Sequence, residues 1–358
     1  VHTSDPTSLH PPAVRPLSIL QVVPPWLPVP PSGYGGIEAV CATLVDELVA
    51  RGHHVELVAG GGSNVSAPLH TAFPKPMPDR INENIVDLVH AATVQEIVSD
   101  KHFDVIHDHT WLGALLAPLR SVPAITTIHN HPSREWLTYT EMVSRTSALL
   151  GVSRSHLDSL PTVRWSGYVH NGIPTARYPF APDQSREEWV LYLGRATRVK
   201  GMHTAIDVAR KAGRRIMLAA KWNEPSERKY YAEYIEPRLG PDTEWLGEVD
   251  FATKVELLSK ATCLLNPIDW HEPFGLVMAE AQACGTPVVA LKRGAAPEVV
   301  DHGRTGYVFD TVEELPAGID QAAQLSSRDC RDRAERLFDS AAMAAGYEAQ
   351  YEKLIGRG

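Results

Sequence analysis

Residues 266–290 read NPIDWHEPFGLVMAEAQACGTPVVA, and the way this stretch must fold decides the class of the whole chain. A short apolar strand, 263–265, runs into a turn at Pro267. A tight polar loop, His271-Glu272-Pro273-Phe274-Gly275, then opens an apolar helix from Leu276. Gly285 ends that helix, and Pro287 starts another apolar strand, Val288-Val289-Ala290. Such a strand–loop–helix–strand unit belongs to a parallel sheet, in which ligands sit beyond the carboxyl ends of the strands. The helix N-terminus offers unpaired N–H groups and a positive dipole end to an anion. Glu272 and Glu280 lie about two helical turns apart, so both can border one cleft. Glu272 also reads as a plain helix-start acid favoured by the dipole. Glu280 is flanked by Val277, Met278, Ala279, Ala281 and Ala283, and a carboxylate in a helix apolar nearly all round needs partners.

Outward from this unit the pattern repeats. Strands are expected at 189–193, 215–219, 244–246 and 307–309, with a helix over 202–212. The loop from Gly194 to Gly201 joins a strand to a helix and carries Arg195 and Lys200. Arg as a bidentate fork and Lys as a point charge together match a diphosphate. With no metal ligands nearby, they could neutralise a leaving group where other enzymes use magnesium. Upstream, short strands at 17–23, 54–59, 104–107, 123–128, 149–152 and 168–169 are interleaved with helices at 37–50 and 85–99. Alternating βα units of this kind mean a Rossmann-like domain. Gly33, Gly35 and Gly36 form a glycine loop at the start of the 37–50 helix, where backbone can approach a phosphate or sugar. The full GxGxxG pattern is absent.

At 358 residues the chain exceeds the size of one core, so two domains are expected. They are placed at 17–175 and 187–330, after a disordered lead-in over 1–16. A Pro-containing linker over roughly 172–186 joins them, and a helical tail over 331–358 follows. The net charge of −9 argues against nucleic-acid and membrane-surface partners. No run of about 18 apolar residues crosses a membrane, and the N-terminus lacks the pattern of a signal peptide. Cys41, Cys263, Cys284 and Cys330 are too widely spaced for a zinc site and read as buried thiols in a reducing compartment. His107-Asp108-His109 and His129-Asn130-His131 lie at strand ends, not at the i, i+4 spacing of a helical metal site. No metal is expected.

The motifs together resemble the retaining nucleotide-sugar glycosyltransferases of family four, which have the two-Rossmann GT-B fold. The resemblance runs through Gly35-Gly36-Ile37-Glu38, His107-Asp108-His109 and Thr127-Ile128-His129. It continues through Val169-His170-Asn171-Gly172-Ile173, the Gly194–Gly201 loop, Glu272-Pro273-Phe274-Gly275-Leu276 with Glu280, and Pro297-Glu298 with Gly303 and Gly306. It implies an α/β fold of two Rossmann-like domains about a cleft, with a C-terminal helix crossing back to the first domain. By this resemblance Glu280 holds the ribose hydroxyls, while Glu272 and the amides of Phe274, Gly275 and Leu276 hold the donor sugar and its phosphates. Arg195 and Lys200 take the diphosphate. Gly36, beside Gly35, closes over the phosphates, and His129 touches the sugar near the reacting centre. The base sits against the loop after Trp245 and Leu246.

The same resemblance implies a UDP-sugar donor, no metal or other cofactor, and same-face attack. Double displacement stays open on the residues themselves. The chain departs from the family at Leu218-Ala219-Ala220-Lys221-Trp222, where many members carry glycine, which bears on the base. Trp26 and Tyr34 border the Pro-rich loop 24–31 and suggest an acceptor contact. Arg outnumbers Lys by 24 to 10, a composition that suggests a GC-rich bacterium. The expected role is a cytoplasmic transfer to a small-molecule or oligosaccharide acceptor in antibiotic biosynthesis, of the avilamycin type. The competing readings are a UDP-sugar epimerase of the same fold, a glycan- or glycolipid-building transferase, a sugar phosphorylase, and a nucleotide-sugar sensor.

Overall fold

A computed structural model describes residues 15–81, 83–182 and 186–356. The first sheet contains β1 (Ser18–Val22), β2 (His54–Val58), β3 (Leu69–His70), β4 (Val105–Asp108), β5 (Ala124–Thr127), β6 (Ala148–Gly151) and β7 (Trp165–Tyr168). Their order is β3-β2-β1-β4-β5-β6-β7. The second contains β8 (Trp189–Arg195), β9 (Arg215–Lys221), β10 (Thr243–Gly247), β11 (Leu264–Asn266), β12 (Val288–Leu291) and β13 (Gly306–Phe309), in the order β10-β9-β8-β11-β12-β13. Every pairing within both sheets is parallel.

Helices cover both faces of each sheet. The central strands are therefore near-continuous apolar runs, and Ile19, Leu20, Val190, Leu191, Val288 and Val289 are fully buried. Each sheet reverses its winding once, between β1 and β4 and between β8 and β11. These two switch points open crevices at the carboxyl ends of the strands.

Strand boundaries moved most at the edges. β3 was not expected, and β7 begins three residues before the expected 168–169 segment. Both are sheet-edge strands with partly exposed residues, so neither shows the apolar signature of a central strand. The expected lead-in 1–16 lies outside the described residues up to residue 14. Arg15 is described and pairs with Asp104 at 2.9 Å. Residues 183–185 of the expected linker also lie outside.

The tail expected as one helix over 331–358 is two helices, Ser327–Phe338 and Ser340–Ile355. Asp339 separates them and caps the second, accepting the amide of Ala341 at 2.9 Å. Residues 331–338 do not lie on the first domain: Ala334 and Phe338 sit in the second domain's core with Phe274 and Met278. Only the second helix crosses over, burying Met343, Ala344, Tyr347 and Tyr351 against Ile19, Leu44 and Leu48. Arg51 and His53 clamp it through Glu348, with contacts of 2.6 and 2.9 Å.

Tyr347 is fully buried in that seam. Tyr347→Ala is expected to lower stability by about 3–5 kcal/mol, against no more than about 0.5 kcal/mol for the exposed Lys353→Ala. Urea-unfolding midpoints compared at constant m-value check this.

Candidate active site

Two helix N-termini meet across the interdomain cleft. Helix Gly36–Ala50 follows β1, and helix Leu276–Ala283 follows β11. Their N-cap residues, Gly35 and Gly275, supply no side-chain cap, so the first N–H groups of both helices remain free for a ligand. The helices approach closely: a β-carbon at Gly36 would stand 3.7 Å from Leu276 Cδ1. Gly275 has a φ of 86°, a left-handed conformation that favours glycine.

Arg195 and Lys200 line the second-domain wall, and each is already paired. Lys200 binds Glu272, which also accepts the Trp270 indole N–H at 2.7 Å. Arg195 donates through Nε to Glu227 at 2.7 Å and contacts Glu224 at 2.9 Å. Burial opposes the charge of Arg195, but the Glu227 hydrogen bond together with the charges of Glu227 and Glu224 outweighs it, and the guanidinium pKa is raised. Glu227 is fully buried, and its second oxygen accepts the Glu224 amide at 3.0 Å in a capping box. Lys221 joins the group through Glu224 at 3.0 Å.

Sequence reasoning missed Glu224 and Glu227. The signal available was the Glu-Pro-Ser-Glu helix start directly after the departure at 218–222. Tyr34, expected at an acceptor contact, places its ring 5.7 Å from the Arg195 guanidinium and 5.5 Å from Lys221 Nζ.

Glu280 has the partners its apolar helix demands. The Tyr178 hydroxyl donates to its Oε1 at 2.8 Å, and Lys254 Nζ donates to the same oxygen at 2.6 Å. Its Oε2 has no hydrogen-bond partner among the described residues. Burial, with the adjacent Glu280 charge, holds the Tyr178 hydroxyl well above its usual pKa.

Phe274 contributes backbone alone, because its ring is buried against His170 and Phe338. Trp245 likewise turns its ring onto Trp222 and Tyr231. At Trp245 and Leu246 the edge of β10 is thus left to offer main chain.

On the first-domain wall, His129 follows β5 and bonds His109 through Nε2 to Nδ1 at 2.8 Å. Burial lowers the His129 pKa to about 3, and nearby His156 adds to the effect. Cys41, His109 and His129 bring donor atoms within 4.8 Å of one another. A cation there would displace the His109–His129 hydrogen bond.

The domains touch around the cleft. Ser153 Oγ donates to the Pro273 carbonyl at 2.6 Å, and Glu298 accepts from the Arg154 amide at 2.9 Å and pairs with His170 at 3.0 Å. The Tyr34 amide donates to Glu248 at 3.3 Å.

Residues 34–177 match the family model described as Glycosyltransferase Family 4, and residues 179–337 match Glycosyl transferases group 1. The α-maltose-1-phosphate synthase of Mycobacterium tuberculosis is 30% identical over 322 residues, 77% of this chain and 81% of that protein. The chain belongs to glycosyltransferase family 4. A glycogen synthase of the same organism is 29% identical over 283 residues, 66% of this family 4 chain. That match spans 65% of the relative's own length, just under two thirds. Among solved structures, AviGT4, a glycosyltransferase involved in avilamycin A biosynthesis, superposes with a TM-score of 0.71 at 26% identity. The superposition covers 96% of this chain and 99% of that one, and the shared architecture is GT-B.

The buried histidines of this family 4 chain give its stability a defined acid dependence. Burial lowers His129 to about 3 and His90 and His156 to about 4. Between those values and the unfolded value near 6.5 the unfolded chain holds more protons, so stability falls as the pH falls. The loss is expected to reach up to about 1.4 kcal/mol per pH unit for each histidine that stays neutral. Urea unfolding at pH 7, 6 and 5 tests the sign, and a stability that is level or rises on acidification would contradict it.

Proposed function

We propose that this protein is a retaining, metal-independent glycosyltransferase that moves a hexosyl or pentosyl group from a UDP-sugar to a small soluble acceptor in bacterial antibiotic biosynthesis. The observation that carries the reading is the meeting of two uncapped helix N-termini with Arg195 and Lys200 in one cleft. That is an anion site built for a diphosphate.

In this reading the bond between the anomeric carbon and the diphosphate oxygen breaks through an oxocarbenium-like transition state. Arg195, Lys200 and the N–H groups of Gly36, Gly275 and Leu276 meet the charge gathered by the departing oxygens. The acceptor oxygen attacks the face the diphosphate leaves, and its proton passes to the leaving phosphate oxygen. Glu280 takes the ribose hydroxyls through its unpartnered Oε2, Glu272 and the Phe274 amide hold the sugar, and His129 lines its far side. The base lies on the main chain at Trp245 and Leu246. The acceptor enters along the first domain.

The likeness to AviGT4 supports the antibiotic assignment. The relative named as a glycogen synthase favours the second reading, transfer to a growing glycan, whereas the one named for α-maltose 1-phosphate, a small disaccharide phosphate, fits a small acceptor. An epimerase would interconvert UDP-sugars with no acceptor present.

Calorimetric titration with UDP, GDP and ADP in the presence of EDTA is expected to show binding of UDP, weakened in Arg195→Ala and in Glu280→Ala. Binding of GDP or ADP alone would overturn the donor assignment. Lys200→Ala is expected to lower turnover by about 10²–10³-fold, and chelation to leave activity in place. Activity abolished by EDTA would mean that the transfer needs a metal.

A further inference from the structure

A buried polar chain runs from the cleft through the first sheet to the C-terminal helix, and the proposed chemistry uses its outer end alone. Gln21 on β1, His107 on β4 and Thr127 on β5 each follow, two residues along the same strand face, the core residues Ile19, Val105 and Ile125. They therefore turn toward helix Ser340–Ile355. The Gln21 amide nitrogen donates to the Tyr351 hydroxyl at 3.1 Å, and that hydroxyl contacts His107 Nδ1 at 2.7 Å. His107 Nε2 meets Thr127 Oγ1 at 2.8 Å. The Gln21 amide oxygen contacts His109 Nε2 at 3.1 Å, and His109 Nδ1 meets His129 Nε2 at 2.8 Å. Gln21, His107 and Tyr351 are fully buried.

The donor directions along the chain are fixed by one group. An amide oxygen accepts only, so His109 carries its proton on Nε2 and presents a lone pair at Nδ1. That lone pair takes the proton of His129 Nε2, which leaves His129 Nδ1 as an acceptor. Turning the Gln21 amide over would reverse each step and put the His129 proton on Nδ1. A hydroxyl serves either orientation, and the direction comes from the far end: Thr127 Oγ1 donates to the Tyr347 hydroxyl at 3.4 Å and accepts from His107 Nε2, which leaves Nδ1 bare to take the Tyr351 hydroxyl proton, so that Tyr351 accepts from the amide nitrogen. Burial keeps His107 and His109 well below their ordinary pKa, so tautomers rather than charges are selected.

We propose that Gln21 and Tyr351 are positioning residues that decide which nitrogen of His129 bears its proton, so that the C-terminal helix, through the Tyr351 hydroxyl, sets how His129 is presented to the cleft. This rests on the reading of His129 as a wall of the sugar site. Packing alone does not call for such a chain, since replacing both partners of a buried hydrogen bond by apolar groups of the same shape can be nearly neutral.

The test is ¹⁵N-histidine NMR on the full chain, in which protonated and bare ring nitrogens have well-separated shifts, together with steady-state kinetics. The native protein is expected to show His129 protonated on Nε2. Tyr351→Phe and Gln21→Leu should each give a mixture of His129 tautomers. Each should also lower kcat by about tenfold, the scale of one lost hydrogen bond, with donor KM unchanged. Glu348→Gln, which loosens the same helix at Arg51 and His53, should lower the melting temperature and leave tautomer and kcat alone. A single His129 tautomer retained in both Tyr351→Phe and Gln21→Leu would overturn the proposal, and should Gln21→Leu not fold, Tyr351→Phe decides. Native turnover in His129→Ala would overturn the sugar-site reading instead, and the NMR result would still decide whether helix and imidazole are coupled.

Discussion

The ion pair between Lys200 and Glu272 is the contact on which the second-domain wall depends. It ties the loop after β8 to the loop after β11, the two neighbouring strands where the sheet reverses its winding. The pair forms because the loop backbones lie almost in contact. A β-carbon on Gly201, whose φ is 74°, would fall 2.2 Å from the Pro267 carbonyl oxygen. The loop after β12 presses on Glu272 in the same way: a β-carbon on Gly294, with a φ of 51°, would fall 2.2 Å from the Glu272 carbonyl oxygen. Both positions demand glycine, for space and for backbone conformation together. Lys200 and Glu272 are each mostly buried, so removing either would leave the other short of a partner. The same contact holds Gly275, and with it the helix N-terminus, in line with the cations.

Charge pairing fixes the cations of the second-domain wall in place, in a chain whose net charge is −9. Each cation of the wall is held from behind by a carboxylate: Arg195 by Glu224 and Glu227, Lys200 by Glu272, Lys254 by Glu280. A guanidinium has five N–H donors in a rigid fork. Engaging Nε and one terminal nitrogen fixes its plane while leaving other donors to a ligand. The cost of ordering these long side chains is met on folding, so less remains to be met when a ligand binds. Glu280 follows the same logic with the sign reversed: two donors fix Oε1, and Oε2 stays free.

Much of this was legible in the sequence because it rests on short-range pattern. The helix from Leu276 and its flanking strands followed from apolar runs bounded by Gly and Pro. The need of Glu280 for partners followed from its apolar flanks, although nothing marked Tyr178 or Lys254, distant in sequence, as those partners. The backing carboxylates Glu224 and Glu227 were missed because their role arises only when β8 and β9 lie side by side. The break at Asp339 was missed because no Gly or Pro marks it. A single capping side chain ends one helix there and begins another, while the apolar spacing continues across it. The approach of Tyr34 to Arg195 was not legible either, because it joins a first-domain loop to a second-domain strand.

Asp339 also explains how the two domains are joined. The linker and the tail cross between domains side by side and are bonded to each other. The Ile173 amide donates to the Phe338 carbonyl at 2.8 Å, and the Ser340 amide to the Ile173 carbonyl at 3.0 Å. Asp339 closes the group by accepting the Thr175 amide at 3.3 Å. Contacts on the far rim, from Tyr34 to Glu248 and from Arg154 and His170 to Glu298, are polar and partly exposed, where water can replace each partner at little cost, whereas the Ser153–Pro273 hydrogen bond is buried and would have to break as well. A rotation about the paired crossings would part the rim and leave the crossings intact. The buried chain through Tyr351 lies on the first-domain side of Asp339, so the helix that carries it would move with His129 rather than with the second-domain wall. Such a rotation would leave the Lys200–Glu272 pair and the Gln21–Tyr351 chain each whole on its own side.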